Sequence, residues 1–302
     1  MTRPMTRGRQ ARPSTIRRPT AAPRPYSRMR PMPRLGLWLV AVVLAFFALI
    51  PMLSVLSASF KPKAEIYQVP GTIVPRQPTF ANYTYVLGRG NFPAWVSNSV
   101  LVAACCVLIG TLLGVMAGYA LSRFAFRGRT AVVIALLATQ MFPSVLLIIP
   151  LFRIVSRLHL IDTPWALVLA QVSSAAPLGA WLMKVAFDQV PKEIDEAARI
   201  DGCGHFTAMW HAALPAARPG VVAAAIFLFI GSWEEFTFAL TFTNSDERRT
   251  LPVGLSLLSS SYEVSWNQLA AMALLVAIPS VILFGLVQRW LVLGSATGSV
   301  KG

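Results

Sequence analysis

The chain has 302 residues, of which 55% are hydrophobic and 13% are charged, and its formal net charge is +15. A mean hydropathy of +0.60 is typical of polytopic membrane proteins and excludes an ordinary soluble domain. Residues 1–34 hold ten arginines, seven prolines and no acid, so they carry +10 and the other 268 residues carry +5. This composition predicts a disordered tail. Beside a membrane span, its charge indicates a cytoplasmic N-terminus touching anionic lipid rather than a nucleic-acid-binding arm.

Six apolar segments follow the tail, and each is long enough to cross a hydrocarbon core of about 30 Å as a helix. They lie at about Leu35–Ala58, Val96–Leu121, Ala131–Phe152, Trp165–Phe187, Val221–Phe242 and Leu269–Leu293. The first is too long for the core of a signal peptide, so we expect it to be retained. The predicted fold class is an all-α membrane protein with six transmembrane helices. Its membrane domain covers residues 35–302, with a core at about 94–293.

The short flanks of these segments predict the orientation. Arg123, Arg127 and Arg129 follow the second span without an accompanying acid, which together with the basic tail places both termini in the cytoplasm. The proline-rich loop Phe60–Ala94 and the loop Asn244–Asn267 then lie outside. By parity, the polar segment 188–219 between the fourth and fifth spans is cytoplasmic.

The stretch Pro191–Pro215 within that segment is unusually polar for this chain. Its charged residues are Lys192, Glu193, Asp195, Glu196, Arg199 and Asp201, and because ionisable groups are costly in lipid, the stretch must lie in water. The residues Glu193–Ile200 favour a helix that Gly202 ends in the left-handed conformation. A second short helix, about Phe206–Ala213, is expected to stop before Pro215. A connector between two spans and a docking surface for a soluble protein both fit this pattern.

The spacing of this stretch resembles the EAA loop of permease subunits from binding-protein-dependent ABC importers. The matching residues are Glu196, Ala197, Ala198, Gly202, Leu214 and Pro215. Ala212 departs from the pattern, since the family usually has isoleucine there. In that family the loop is a coupling helix that fits a groove on the ATPase subunit. The resemblance implies a salt bridge from Glu196 to the ATPase, a turn at Gly202 and an apolar anchor at Leu214-Pro215.

Other motifs are similar to those of carbohydrate importers. They are Asn98-Ser99, Tyr119–Arg123, Met141-Phe142-Pro143 and Trp233-Glu234-Glu235-Phe236. The ending, which contains Ser299, Val300 and Lys301, is similar to the tail of maltose-permease-type subunits of the smaller, six-helix kind, where it reaches between the two ATPase subunits. The resemblance covers about residues 35–302. It implies a type I ABC importer permease for an oligosaccharide or a related sugar or polyol.

The same resemblance implies the partners, which are a second homologous permease, two ATPase subunits and an extracytoplasmic solute-binding protein in a bacterial cytoplasmic membrane. The sequence contains no G-x-x-x-x-G-K-[ST] phosphate loop, so ATP and Mg²⁺ are expected on the ATPase partners. No nucleophile–base set for an intramembrane hydrolase is visible. Cys203-x-His205 has no second ligand pair nearby, so neither a metal nor another cofactor is expected in this chain.

Glu234 and Glu235 are the only acids within a predicted span, and an intramembrane acid indicates a functional site or a structural pair. The candidate translocation-pathway residues are Trp233, Glu234, Glu235 and Phe236. Successive helix positions point about 100° apart, so at most one glutamate faces the pathway squarely. The two aromatic rings fit stacking on a sugar and packing within the chain equally well.

Three other interpretations stay open. A permease of the same family for amino acids, phosphate or polyamines would share the EAA spacing but lack the sugar-type ending. A secondary transporter would be expected to show internal repeats or broken helix pairs, which the sequence does not display. A membrane scaffold without a transport function would leave the EAA spacing unexplained. Separately, Gly110, Gly114 and Gly118 recur every four residues, which predicts close helix packing.

Overall fold

The computed structural model describes residues 34–259 and 264–296, and these residues form helices and connecting segments without a strand. Most of the predicted tail, residues 1–33, and the ending with Ser299, Val300 and Lys301 lie outside the described residues, as does part of the loop after the fifth span. The chain divides into two compact units, residues 1–49 and 50–302. The helix Arg34–Ser59 begins in the first unit, and all later elements belong to the second.

The helices follow the predicted spans closely, with short helices between them. In chain order they are α1 (Arg34–Ser59), α2 (Lys63–Ile66), α3 (Ala81–Leu87), α4 (Phe92–Arg123), α5 (Arg129–Thr139), α6 (Ser144–Arg157), α7 (Pro164–Asp188), α8 (Lys192–Ile200), α9 (His205–Ala208), α10 (Leu214–Ala216), α11 (Arg218–Trp233), α12 (Thr237–Phe242), α13 (Leu251–Ser259) and α14 (Trp266–Ala296). A π-helical turn, Met209–Ala213, joins α9 to α10, and a 3-10 turn, Asp246–Arg248, precedes α13.

Four of the described helices (α1, α4, α7 and α14) are long and apolar enough to cross a membrane. The count rises to six when each of two bent pairs is taken as one span, α5 with α6 and the helical stretch His205–Ala216 with α11. The all-α membrane fold is therefore confirmed. The first, second, fourth and sixth predicted spans coincide with single helices.

Two predicted spans are broken rather than continuous. The third is divided into α5 and α6, which meet at 97°, and Met141-Phe142-Pro143 lies at the break. Pro143 lacks an N–H and disfavours helical geometry in the residue before it, which explains the break. The fifth is divided after Trp233, so that Glu234–Phe236 lies between α11 and α12. Broken helix pairs were the feature expected of a secondary transporter, and the sequence did not display them. Because the structure contains them, their absence can no longer serve as an argument against a secondary transporter.

The interior of the second unit is built where α4 packs along α7. A Cβ atom on Gly114 would lie 2.9 Å from the backbone carbon of Gly179, and one on Gly118 would lie 2.6 Å from the backbone nitrogen of Lys184. Real Cβ atoms do not approach backbone so closely, so only glycine allows these two helices to meet. The prediction of close packing along this face is confirmed.

The Asn98-Ser99 motif attaches the segment before α13 to the first turns of α4. Asn98 donates from Nδ2 to the carbonyl oxygens of Glu247 at 2.8 Å and Arg249 at 3.0 Å. Ser99 Oγ accepts the Leu251 N–H at 2.8 Å. Trp95 Nε1 donates to the carbonyl oxygen of Asp246 at 2.6 Å. These side chains satisfy backbone groups that no helix serves, and so they fix an otherwise irregular segment.

Asp162 joins the segment before α7 to the segment after α12. Its φ angle is 64°, and its carboxylate accepts hydrogen bonds from Asn244 N at 2.8 Å, Ser245 N at 3.0 Å and Ser245 Oγ at 2.5 Å. Partial burial by itself raises the pKa of the Asp162 carboxyl, but the hydrogen bonds from Ser245 and Asn244 outweigh it and hold the pKa below its usual value. The ionised form is therefore the form that the fold stabilises.

Acidification should release this contact, with a sign set by the lowered pKa. The hydrogen bonds of the ionised Asp162 carboxylate contribute fully to the free energy of folding above the ordinary aspartate pKa. This contribution is lost as the pH falls through the lowered pKa of Asp162 in the folded protein. We expect Asp162→Asn to expose the amides of Asn244 and Ser245 at neutral pH, whereas the unaltered chain should expose them only in acid. Hydrogen-exchange protection factors across pH would test this. Equal protection in both proteins at neutral pH would contradict it.

Candidate functional site

The EAA stretch folds as two helical pieces joined by a tight turn. Its first piece, α8, ends at Ile200, and Gly202 has a φ of 91°. The N–H of Gly202 donates to the Arg199 carbonyl at 3.1 Å, and the N–H of Cys203 donates to the Ala198 carbonyl at 3.0 Å. This is the left-handed helix ending for which glycine is favoured. The predicted turn at Gly202 is confirmed.

The second piece runs past the expected stop. It is helical from His205 to Ala216 and includes Pro215, so the prediction of a helix ending before that proline was wrong. The N–H of Leu214 donates to the Met209 carbonyl, five residues back, which is the bond of a π turn. The ring of a proline collides with the carbonyl four residues earlier in a regular α-helix. The wider π turn gives it room.

Asp195 turns inward from α8 and holds this helix to the end of α4. Tyr119 Oη donates to Asp195 Oδ1 at 2.9 Å, and Arg123 Nε donates to Asp195 Oδ2 at 2.7 Å. The side chains of Arg123 and Asp195 are only 8% and 10% exposed, so the pair is buried. From the sequence, Asp195 was one of several charged residues in Pro191–Pro215, and Arg123 was an orientation signal. That the two residues form one contact was not predicted.

Arg123 also binds the end of α7. Its Nη1 and Nη2 donate to the carbonyl oxygens of Phe187 and Val190, each at 3.0 Å. Phe187 lies in the last turn of α7 and Val190 just beyond it, so neither carbonyl has the regular helical N–H four residues later as a partner. Nearby, Asp188 accepts Ser122 Oγ at 2.7 Å and Lys184 Nζ at 2.5 Å. The motif Tyr119–Arg123 therefore joins α4, α7 and α8 at one point, which we call the α8 anchor (Tyr119, Arg123 and Asp195).

The opposite side of the EAA stretch is open. Glu196, Ala197, Gly202 and Pro215 are exposed, whereas Ala198 and Leu214 are partly buried. Two large apolar side chains join this surface, since Ile200 is 87% exposed and Phe206 is 64% exposed. Neither was singled out from the sequence. Large exposed apolar side chains among exposed charged residues are the composition of a docking surface rather than of a solvated connector.

The four candidate pathway residues divide into two kinds. Trp233 is buried, with its ring stacked on Phe229 at a centroid distance of 5.5 Å and its Nε1 donating to the Val276 carbonyl at 3.0 Å. Glu234 is exposed, and Phe236 is 37% exposed. The structure thus leaves Glu234 and Phe236 at the surface of this chain. It places Trp233 among helices of its own chain.

Glu235 is used within the chain to begin α12. Its carboxylate accepts the N–H groups of Phe238 at 2.7 Å and Ala239 at 3.1 Å, which satisfies two N-terminal donors of that helix. Gln171 Nε2 lies 3.4 Å from Glu235 Oε2. Among the hydrogen bonds that the structure describes, the carboxylate of Glu235 makes several and the carboxylate of Glu234 makes none.

Gln171 is buried in α7 and connects three other helical elements. Its Oε1 accepts Ser232 Oγ from α11 at 2.5 Å and Cys106 Sγ from α4 at 3.4 Å, while its amide reaches Glu235 before α12. Gln171 was not singled out from the sequence. Its burial between helices makes it a linking residue, because buried polar groups need partners.

Comparison with known proteins identifies the class. Residues 110–294 match the family described as "Binding-protein-dependent transport system inner membrane component". The chain is 32% identical over 275 residues to the inner membrane ABC transporter permease protein YcjP of Escherichia coli (strain K12), covering 90% of this chain and 98% of that protein. It is 33% identical over 272 residues to the trehalose/maltose transport system permease protein MalG of Thermococcus litoralis, covering 89% and 97%.

A solved structure shows the same fold. The crystal structure of a bacterial ABC transporter involved in the import of the acidic polysaccharide alginate aligns with a TM-score of 0.71 at 23% identity, covering 87% of this chain and 98% of that one. The chain is thus a multi-pass membrane permease subunit of an ABC transporter, which is not itself catalytic. It belongs to the binding-protein-dependent transport system inner membrane component family. The predicted family is confirmed.

Proposed function

We propose that this chain is a membrane subunit of an ATP-driven importer for an oligosaccharide or a related sugar or polyol. The observation that carries the coupling role is the arrangement of α8. One side is fixed by the buried contact between Asp195 and Arg123, and the other side exposes Glu196 and Ile200. A relative named for trehalose and maltose and the carbohydrate-type motifs support the solute class.

The complete importer contains a second homologous permease, two ATPase subunits and an extracytoplasmic solute-binding protein. It lies in a bacterial cytoplasmic membrane with both termini of this chain in the cytoplasm. ATP and Mg²⁺ bind to the ATPase subunits, and this chain needs no cofactor of its own. The ending with Ser299, Val300 and Lys301 makes a second contact with the ATPases. The segments 60–94 and 244–267 face the binding protein.

Coupling proceeds through the α8 anchor. ATP binding closes the two ATPase subunits and draws the EAA stretches of the two permeases inward. Because Arg123 binds Asp195 of α8 and two carbonyls at the end of α7, displacement of α8 moves α4 and α7 with it. The two permeases then open outward beneath the loaded binding protein. A salt bridge from Glu196, the Gly202 turn and the apolar Leu214-Pro215 contact seat the stretch on the ATPase.

Replacing Glu196 by alanine should uncouple ATP hydrolysis from transport. The loss of one charge-assisted contact to the ATPase corresponds to roughly a tenfold or greater fall in uptake. The control is Glu193→Ala, which removes an exposed acid from the same helix outside the EAA pattern. The measurements are ATP-driven uptake and ATPase recovery with the tagged chain in mild detergent. Solute capture by the binding protein should stay normal. Equal uptake by the two variants would contradict this proposal.

The solute class has its own test, since a permease of the same family for amino acids, phosphate or polyamines is the second candidate. The binding protein that co-purifies with the transporter should be screened against neutral sugars, amino acids, phosphate and spermidine. The proposal expects saturable binding of a sugar or polyol. Binding of a charged solute alone would leave the ABC importer role intact and overturn the carbohydrate assignment.

A further inference from the structure

A cavity of ≈ 540 Å³ opens where α5 breaks into α6 beside α7. Its polar lining comes from five uncharged side chains, Thr139, Gln140, Ser144, Ser173 and Ser174. Phe142 adds an aromatic ring that is 63% exposed. The cavity is separate from the Glu234–Phe236 segment that the sequence singled out. Its volume falls within the range of about 300–1,000 Å³ that is usual for small-molecule sites.

The depth of the cavity indicates that it faces water and not lipid. Ser173 is the tenth residue of the 25-residue helix α7, about 14 Å along its axis at the usual helical rise. It therefore lies near the middle of the span, where exposed polar groups are unfavourable against hydrocarbon. Ser173, Gln140 and Thr139 are nevertheless exposed in this chain. Ser173 Oγ and Thr139 Oγ1 donate to carbonyl oxygens of their own helices at 2.8 and 2.7 Å, which leaves their lone pairs to accept a hydrogen bond. A water-filled route accounts for exposed acceptors at this depth.

Prolines add backbone acceptors to the same region. Pro177 lies within α7 and Pro150 within α6, and each removes the N–H that would bond the carbonyl four residues earlier. The affected carbonyls belong to Ser173 and Leu146. Gln140 Nε2 donates to the neighbouring Ser174 carbonyl at 3.2 Å, which shows that a donor at the break reaches the part of α7 that precedes Pro177. A hydroxyl-bearing solute would find acceptors there.

We propose that this cavity is a subsite for a neutral polyhydroxylated solute, on which a sugar ring lies against Phe142 while Gln140 and the serines bond its hydroxyls. The absence of any ionisable side chain from its lining favours an uncharged solute, because an anion or a cation would meet no opposite charge. The inference rests on the proposed importer function and names where this chain holds the solute.

Cysteine accessibility in the assembled transporter tests the first step. Cys105, Cys106 and Cys203 are replaced by serine, and Ser173→Cys is treated in membrane vesicles with a charged methanethiosulfonate. We expect rapid labelling. Two controls are Ala170→Cys, at a fully buried position of the same helix, and Ile282→Cys, at an exposed apolar position of α14. Labelling of Ser173→Cys as slow as that of both controls would overturn the inference.

Solute protection and kinetics test the second step. Uptake is first measured with maltose, trehalose, raffinose and sorbitol, and the compound that is carried is used as the probe. It should slow the labelling of Ser173→Cys, and Gln140→Leu should raise the KM for uptake roughly fivefold with a smaller change in kcat, as expected for one lost hydrogen bond. If one of these compounds is carried but neither effect is seen, the subsite is wrong while the proposed function stands. If only a charged solute is carried, both fail.

Discussion

Replacing Asp195 by alanine is expected to destabilise the packing of α8 against α4 and α7 by about 3 kcal/mol, since removing one partner of a buried ion pair leaves the other charge uncompensated. Arg123 would remain 8% exposed with its charge unpaired by a carboxylate, and the Tyr119 hydroxyl would lose its acceptor. Uptake should fall more than stability alone explains, because α8 would no longer move α4. Thermal unfolding of the purified chain and ATP-driven uptake measure the two effects.

A matched control and a double variant separate stability from coupling. Asp201→Ala removes an exposed acid from the end of the same helix and should change neither quantity appreciably. Arg123→Met combined with Asp195→Leu removes both charges, so part of the stability should return, while uptake should stay low because the contact is gone. Normal uptake by this double variant would show that the ion pair does not transmit motion.

Replacing Gly118 by valine is expected to prevent α4 from reaching α7, with a loss of about 3 kcal/mol or more. Even a single Cβ atom at this position would lie 2.6 Å from both the Lys184 nitrogen and the Met183 Cβ. The first of these is a backbone atom within a helix, so it has little freedom to shift. The amount of folded chain in membranes and its unfolding temperature in detergent should both drop sharply.

The control for this effect is Gly231→Ala in α11, where an added Cβ would meet no atom within 4 Å. This variant should accumulate and unfold like the unaltered chain. The comparison distinguishes a steric effect of close helix approach from a general intolerance of side chains at glycine positions. If Gly118→Val accumulated as well as Gly231→Ala, the close approach of α4 and α7 would be refuted.

Hydropathy predicted the spans because the membrane sets one strong requirement, a long apolar segment, and α4, α7 and α14 meet it within a few residues of the expected bounds. It did not predict the breaks, because an apolar segment stays apolar where it bends. The 97° bend between α5 and α6 had only Pro143 as a local signal. Prolines inside α6, α7 and α14 leave those helices continuous, so a proline by itself does not predict that a span is broken.

The EAA spacing located the stretch Pro191–Pro215 and its Gly202 turn, but the contacts that fix this stretch are tertiary. Asp195 and Arg123 are separated by 72 residues and Ser232 and Gln171 by 61, and no periodicity connects positions so far apart. The sequence did hold a partial signal, since the Tyr119–Arg123 motif was noted for its resemblance. A polar motif at the end of the second span and an acid in the polar segment after the fourth span form a pair that could have been tested.

The π turn at Met209–Ala213 has a consequence for the length of this segment. Such a turn holds one residue more than the α-helical path it replaces, so it absorbs the extra residue without changing the phase of the helix on either side. Deleting one residue there would restore an ordinary α-helical turn, and the ring of Pro215 would then collide with the carbonyl four residues earlier. The expected result of such a deletion is a kink or a break next to Pro215, and not a rotation of the whole chain beyond it.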